Sequence, residues 1–235
     1  MIFFRRRNKR QEPAPEGAEP HDAPPTAEED RASKGTGPWD LADQPELGKR
    51  VDVGALRVPA RQGMQMRMEL EPKTRRIVAV NVVYQGSAIQ LQAFAAPRSQ
   101  GIWEELREEI TESIGKQGGS VEEKEGGYGL ELLARLPVRT KDGRAGLRPV
   151  RFLGVDGPRW FLRAVVSGKA AIEAEAAAEV EEILRDVVVV RGDGPRPPRE
   201  LLPLHLPGKP GEQSAPARPT LDLDSGRGPE ITEVG

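Results

Sequence analysis

Gln85-Gly86 stands between two runs that alternate apolar and polar residues, and no other pair constrains the fold of this chain as tightly. A two-residue hairpin turn needs positive φ in its centre, which glycine supplies without steric cost. The alternation therefore predicts a hairpin from Arg76 to Ala95. Pairing through that turn places Val78, Val80, Val82 and Tyr84 on one face with Ile89, Leu91 and Ala93, while Asn81, Gln90 and Gln92 fall on the other.

A helix is expected next. Ser99 sits where an N-cap belongs, Glu104 and Glu105 occupy the first turn, and Trp103, Leu106, Ile110 and Ile114 recur at helical spacing until Gly118-Gly119. This predicts an amphipathic helix over residues 101–117. The plan returns downstream as a strand from Arg148 to Val155, a turn at Asp156-Gly157-Pro158, a strand from Arg159 to Val166 and an alanine-rich helix from about Lys169 to Asp186. Further strands are expected at Val51 to Val58, Met64 to Glu71, Val121 to Lys124, Leu130 to Pro137 and Val187 to Val190. The fold class is α+β: a mainly antiparallel sheet with two helices packed on one face, built as two hairpin-plus-helix units of low mutual identity.

Charge and proline set the boundaries. Residues 1–10 carry Arg5, Arg6, Arg7, Lys9 and Arg10 and no acid, whereas residues 11–46 hold ten Asp or Glu and seven prolines. Residues 1–46 read as a disordered basic tip and acidic, Pro-rich linker. Residues 47–190 hold almost all the periodic apolar side chains and form a single α+β domain. From Arg191 to Gly235 nine prolines and seven glycines mark a second flexible arm. Within it, Leu201, Leu202, Leu204 and Leu206 give residues 197–207 enough apolar surface to dock on the core.

The core residues 47–190 contain no histidine and no cysteine, which removes the usual proton shuttle, thiol nucleophile and soft metal ligands together. Ser87, Ser99, Ser113, Ser120 and Ser167 therefore lack a histidine base from within the domain. His21 and His205 lie in the arms, where His205 reads as part of a structural strap. No cofactor motif is found: Ser167-Gly168-Lys169 lacks the first glycine and the following Ser/Thr of a phosphate loop, and reads as a helix cap. No catalytic residue and no metal site is assigned. Glu104-Glu105 and Glu108-Glu109 read as a solvated helix face. No run reaches the roughly 20 apolar residues of a membrane span, and the start lacks a secretory h-region, so a cytoplasmic protein is expected.

Two basic sites are candidates. A three-residue turn at 156–158 would sort Arg151, Arg159 and Arg163 onto one face of the second hairpin with Leu153 and Phe161, opposite Val150, Phe152, Trp160, Leu162 and Ala164. Three guanidinium groups around an aromatic ring suit a phosphate backbone with a stacked base, or an acidic partner helix. The same arginines could instead pair with Glu173, Glu175, Glu179, Glu181 or Glu182 of the second helix. Arg98 and Ser99, entering the first helix, offer an anion site at its N-terminus, or an ordinary cap with an arginine nearby. At the chain start, Phe3, Phe4, Arg5, Arg6 and Arg7 could touch anionic lipid as a weak peripheral contact, or stay solvated.

Three segments carry a resemblance: Leu91-Gln92-Ala93-Phe94-Ala95-Ala96-Pro97-Arg98-Ser99, Val155-Asp156-Gly157-Pro158-Arg159-Trp160-Phe161-Leu162-Arg163, and Pro197-Pro198-Arg199-Glu200-Leu201-Leu202-Pro203-Leu204-His205-Leu206-Pro207. Together they resemble an actinobacterial family catalogued as a domain of unknown function, over a span from about Gly37-Pro38-Trp39-Asp40 to Pro207. The resemblance implies a cytoplasmic protein whose gene often neighbours one for a dUTPase, an associational pointer to nucleotide or nucleic-acid biology. The residues themselves lead to a binding or adaptor module with a protein partner as the first reading. A nucleotide or single-stranded nucleic-acid binder is the second, and a divalent-ion enzyme using Asp142 or Asp156 the third.

Overall fold

The structure is a computed structural model, and it describes residues 36–98, 101–139 and 144–208. In chain order the elements are β1 (Trp39–Asp40), β2 (Arg50–Asp52), β3 (Leu56–Pro59), β4 (Gln65–Leu70), β5 (Ile77–Tyr84) and β6 (Ser87–Ala95), then α1 (Trp103–Lys116). They continue with β7 (Ser120–Gly126), β8 (Gly129–Arg139), β9 (Ala145–Gly157) and β10 (Trp160–Gly168), a 3-10 turn at Lys169–Ala171, α2 (Ala174–Arg185) and β11 (Val188–Val189).

The first hairpin forms in the register that its alternation predicts. Gln85 and Gly86 both have positive φ, Tyr84 pairs with Ser87, and Val82 and Val80 face Ile89 and Leu91. Around this hairpin grows a seven-stranded antiparallel sheet of order β4-β5-β6-β10-β9-β8-β7, beside a four-stranded sheet of order β1-β11-β3-β2. The fold is α+β, and each hairpin is followed by a helix, at α1 and α2.

The helices pack on opposite faces of the large sheet, not on one. Val180, Ile183 and Leu184 of α2 join Val80, Leu91, Leu162 and Ala164 in the main core, which the small sheet closes with Val53, Leu56, Val58 and Val189. Trp103, Leu106 and Ile110 of α1 instead pack with Phe161, Leu132 and Phe152, whose side chains leave the sheet on the other side. Antiparallel pairing of β6 with β10 would relate the two units by an axis normal to the sheet, and such an axis keeps both helices on one side. The likeness between the units is therefore one of strand order alone.

The stretch expected as one strand, Val51 to Val58, divides into β2 and β3. Gly54 at φ 94° reverses the chain, and its amide donates to Asp52 Oδ1 at 2.9 Å. Trp39-Asp40, placed by composition in the acidic linker, pairs in parallel with Val188-Val189, and Asp40 Oδ2 accepts from the Trp160 indole at 2.7 Å. The segment after Arg191 runs antiparallel to β6: Arg199 N donates to Ala95 O, Ala95 N to Glu200 O and Leu202 N to Ala93 O, each at 2.8 Å. It then accepts from Ala55 N at Pro203 O and donates from His205 N to Val53 O, so it bridges the two sheets with Leu202 fully buried. Among the described residues no helix is long and apolar enough to cross a membrane.

Candidate functional site

The second hairpin turns through two residues, Pro158 and Arg159, not three. Trp160 pairs with Gly157, Leu162 with Val155, Ala164 with Leu153 and Val166 with Arg151. Side chains alternate along a strand, so a one-residue change of register moves a whole set to the other face. Arg151 and Leu153 consequently share a face with Trp160, Leu162 and Ala164, and Arg151 is separated from Phe161 and Arg163 by the sheet itself. The expected constellation of three arginines around an aromatic ring does not assemble.

Each member has its own environment. Arg151 is 7% exposed and donates to Glu131 Oε2 at 2.7 Å, to Glu181 Oε1 at 2.8 Å and to Ala170 O at 3.3 Å. Its guanidinium is desolvated, and these carboxylates outweigh that effect and hold its pKa above the ordinary value. Phe161 is fully buried, stacked 5.7 Å from Trp103 at 25° and 6.2 Å from Phe94. It is a core residue, roofed by the first turn of α1.

Arg163 lies on the same side as Phe161, with its guanidinium 5.7 Å above the Phe94 ring and Nη2 donating to Gln92 Oε1. Its Nε is buried with no hydrogen-bond partner among the described residues. Burial lowers its pKa, and among the described residues no carboxylate offsets that shift. Neighbouring β5 and β6 carry Asn81 and Gln90, both of which donate to Glu69 Oε2, at 2.9 and 2.6 Å. α1 lies over β7, β8 and β9, and Phe94 of β6 packs against the cluster of Ile102, Trp103 and Phe161 at the start of that helix.

The N-terminus of α1 is already occupied. Asp156 of β9 accepts the Ile102 amide at 2.9 Å through Oδ1 and the Trp103 amide at 3.3 Å through Oδ2. A Cβ at Gly101 would strike that carboxylate, so glycine there permits the approach. Those amides are thus committed to an internal anion, which removes the basis for an anion site built on them with Arg98. It also commits both oxygens of Asp156, one of the two aspartates considered for a divalent ion. Ser99, Asp142 and the Phe3-Phe4-Arg5-Arg6-Arg7 tip lie outside the described residues.

Arg98 and Arg159 enter a different grouping. Ala96 N and Arg191 Nε both donate to Arg159 O, at 3.0 and 3.2 Å, and Arg191 Nη1 holds Gly192 O and Gly194 O. Arg196 pairs with Glu200 at 2.8 Å, and Glu200 is itself anchored on Ala95. The ends of β6 and β10 and the loop after β11 thereby gather Arg98, Arg159, Arg191 and Arg196 along one rim. Desolvation, and then the positive charges of Arg159, Arg196 and Arg98, hold the Arg191 pKa below its ordinary value, while Asp193 opposes them. Among the described residues Arg98, Arg159 and Arg191 make no salt bridge.

Arg159 adds backbone strain to this arrangement. After Pro158 it has φ 62°, at a position that a glycine would fill without strain in a turn of the type II pattern. An L-residue there costs about 1 kcal/mol. Such a cost, at a residue whose charged side chain has no salt-bridge partner among the described residues, points to a use for that side chain.

A family model described as "Protein of unknown function (DUF3710)" matches residues 37–213. The chain belongs to this family. No curated protein and no solved structure matches it. The DUF3710 span begins ahead of β1 and ends beyond the segment docked on β6, so it contains all four rim arginines. Arg191 and Arg196 do not stand out in the sequence, because the loop that carries them has the Pro- and Gly-rich composition of a free arm. The run Arg191-Gly192-Asp193-Gly194-Pro195-Arg196 is visible, but its place beside Arg159 depends on Leu202 docking against β6.

Proposed function

We propose that this chain is a non-catalytic binding module that takes an anionic, phosphate-like ligand on the rim formed by Arg98, Arg159, Arg191 and Arg196. The observation that carries the reading is the conformation of Arg159: it stands in a strained turn, and its carbonyl fixes a second arginine against like charge. Like charges held together repel unless an anion lies among them; among the described residues Asp193 opposes the charge at Arg191 and Glu200 pairs with Arg196, while no salt bridge is made by Arg98, Arg159 or Arg191. The core lacks the histidine and cysteine that would build ordinary acid-base or nucleophilic chemistry, which favours binding over turnover. A cytoplasmic setting and an acidic protein partner belong to the same proposal, since acidic side chains would meet the rim as phosphates do.

The test is a titration of the full-length chain with inorganic polyphosphate, read by competition with a fluorescent polyanion. Charge reversal at two positions, Arg98→Glu with Arg159→Glu, should weaken binding at least about tenfold and leave the melting temperature within a few degrees. Undiminished binding would remove the rim from the account, and would transfer the affinity to another basic stretch such as residues 5–10.

A further inference from the structure

We infer that the ligand of this rim is a single-stranded nucleic acid, one of whose bases lies on the Arg163-Phe94 stack of the sheet face beside α1. The inference rests on the anion-binding reading of the rim and names the class of polymer that would satisfy both places at once.

The first argument is electrostatic. Among the described residues, Arg163 is a partly desolvated guanidinium whose Nε has no partner and whose pKa no carboxylate supports, while one amide oxygen accepts from Nη2. A charge so placed is costly, and replacing it with an apolar residue would relieve that cost. A polyanion passing overhead would compensate it, and the planar guanidinium, already seated on Phe94, presents a face on which a nucleobase stacks.

The second argument is distance. Arg159 and Arg163 are four residues apart, and Phe94 is likewise four residues before Arg98, so each pair spans at most about 13 Å along the strand direction. That length suits one or two nucleotides of an extended strand, whose phosphates would sit on the rim while a base turns onto the sheet. Gln92 lies beside the stack, and Gln90 and Asn81 follow on the adjoining positions. Gln92 Nε2 donates to Val78 O at 3.0 Å, and Gln90 and Asn81 donate to Glu69, so each amide offers a base edge its second N–H and a remaining lone pair. Inorganic polyphosphate could fill the rim but would gain nothing from the ring and the amides.

The experiment compares the full-length chain against a labelled single-stranded oligonucleotide of roughly ten nucleotides and against polyphosphate of matched charge. Fluorescence anisotropy gives the first affinity, competition the second. The oligonucleotide should bind at least about tenfold more tightly. Arg163→Leu should erase that advantage, and leave polyphosphate binding nearly as it was. Gln92→Ala, which keeps the Arg163 charge but removes the oxygen that accepts from its Nη2, should reduce it by a smaller factor and guards against misfolding of the first variant. Equal affinity for the two probes, both lost with Arg98→Glu and Arg159→Glu, would overturn the nucleic-acid inference and leave the rim reading intact. Failure of both probes to bind would overturn both the nucleic-acid inference and the phosphate-binding reading of the rim.

Discussion

The carboxylate of Asp156 and the amide of Ile102 meet at 2.9 Å across 54 residues of chain, so that a strand of one hairpin caps the helix that follows the other. With a second bond to the Trp103 amide, this carboxylate holds two backbone amides at the start of α1. It also seats the Trp103 ring over Gly154, where any side chain would collide with the indole.

Removing this cap should therefore loosen α1 as a unit. Asp156→Ala is expected to cost about 1 to 2 kcal/mol in urea unfolding, and Asp156→Asn less, because an amide oxygen still accepts. An unchanged midpoint in Asp156→Ala would show that the helix does not depend on it.

Arg151 is held between Glu131 and Glu181, with Glu131 only 5% exposed. Arg151→Met would strand a buried carboxylate and should destabilise by about 3 to 5 kcal/mol at neutral pH. Arg151→Met combined with Glu131→Gln should recover part of that loss. Chemical denaturation of both variants measures the difference.

Arg163→Leu should behave in the opposite way. Removing an uncompensated, partly buried charge is expected to leave stability unchanged or raise it by about 1 kcal/mol, a gain discounted for residual solvent access. A clear loss of stability would mean that the cation contributes to the fold itself.

Tyr128 donates to Glu181 O at 2.8 Å, and burial, with a contribution from the Glu181 charge, pushes its hydroxyl up to about 12 from 10.0, against the pull of Arg185. The protonated phenol is thus favoured by the fold. Below pH 10 both folded and unfolded chains hold the proton; between about pH 10 and pH 12 the unfolded chain loses it first, and stability falls across that window. A Tyr128→Phe variant should show a shallower decline there in pH-dependent urea unfolding, while losing about 1 kcal/mol at pH 7 with the hydrogen bond.

The two hairpins show why part of the fold was legible and part was not. Gln85-Gly86 leaves one turn length open, so strand alternation and turn chemistry agree on a single register. Asp156-Gly157-Pro158-Arg159 admits a three-residue turn through Gly157 or a two-residue turn through Arg159, and sterics argue against an arginine at positive φ. The strained choice shifted the pairing by one and carried Arg151 to the other face. The rim was legible only in pieces: Arg98 and Arg159 stand out in the sequence, but the residues that join them arrive through long-range docking of a Pro- and Gly-rich segment whose composition resembles a free arm. Trp39 and Asp40 were obscured in the same way by the acidic residues around them.

The rim itself is tested most directly by the salt dependence of binding. Each phosphate neutralised on a single strand contributes about −0.7 to the slope of log K against log salt concentration. Anisotropy titrations of the full-length chain with a single-stranded oligonucleotide, between about 50 and about 200 mM salt, should give a slope that Arg98→Ala with Arg159→Ala reduces in magnitude by about 1.4. The same slope and the same affinity in the double variant would contradict the account.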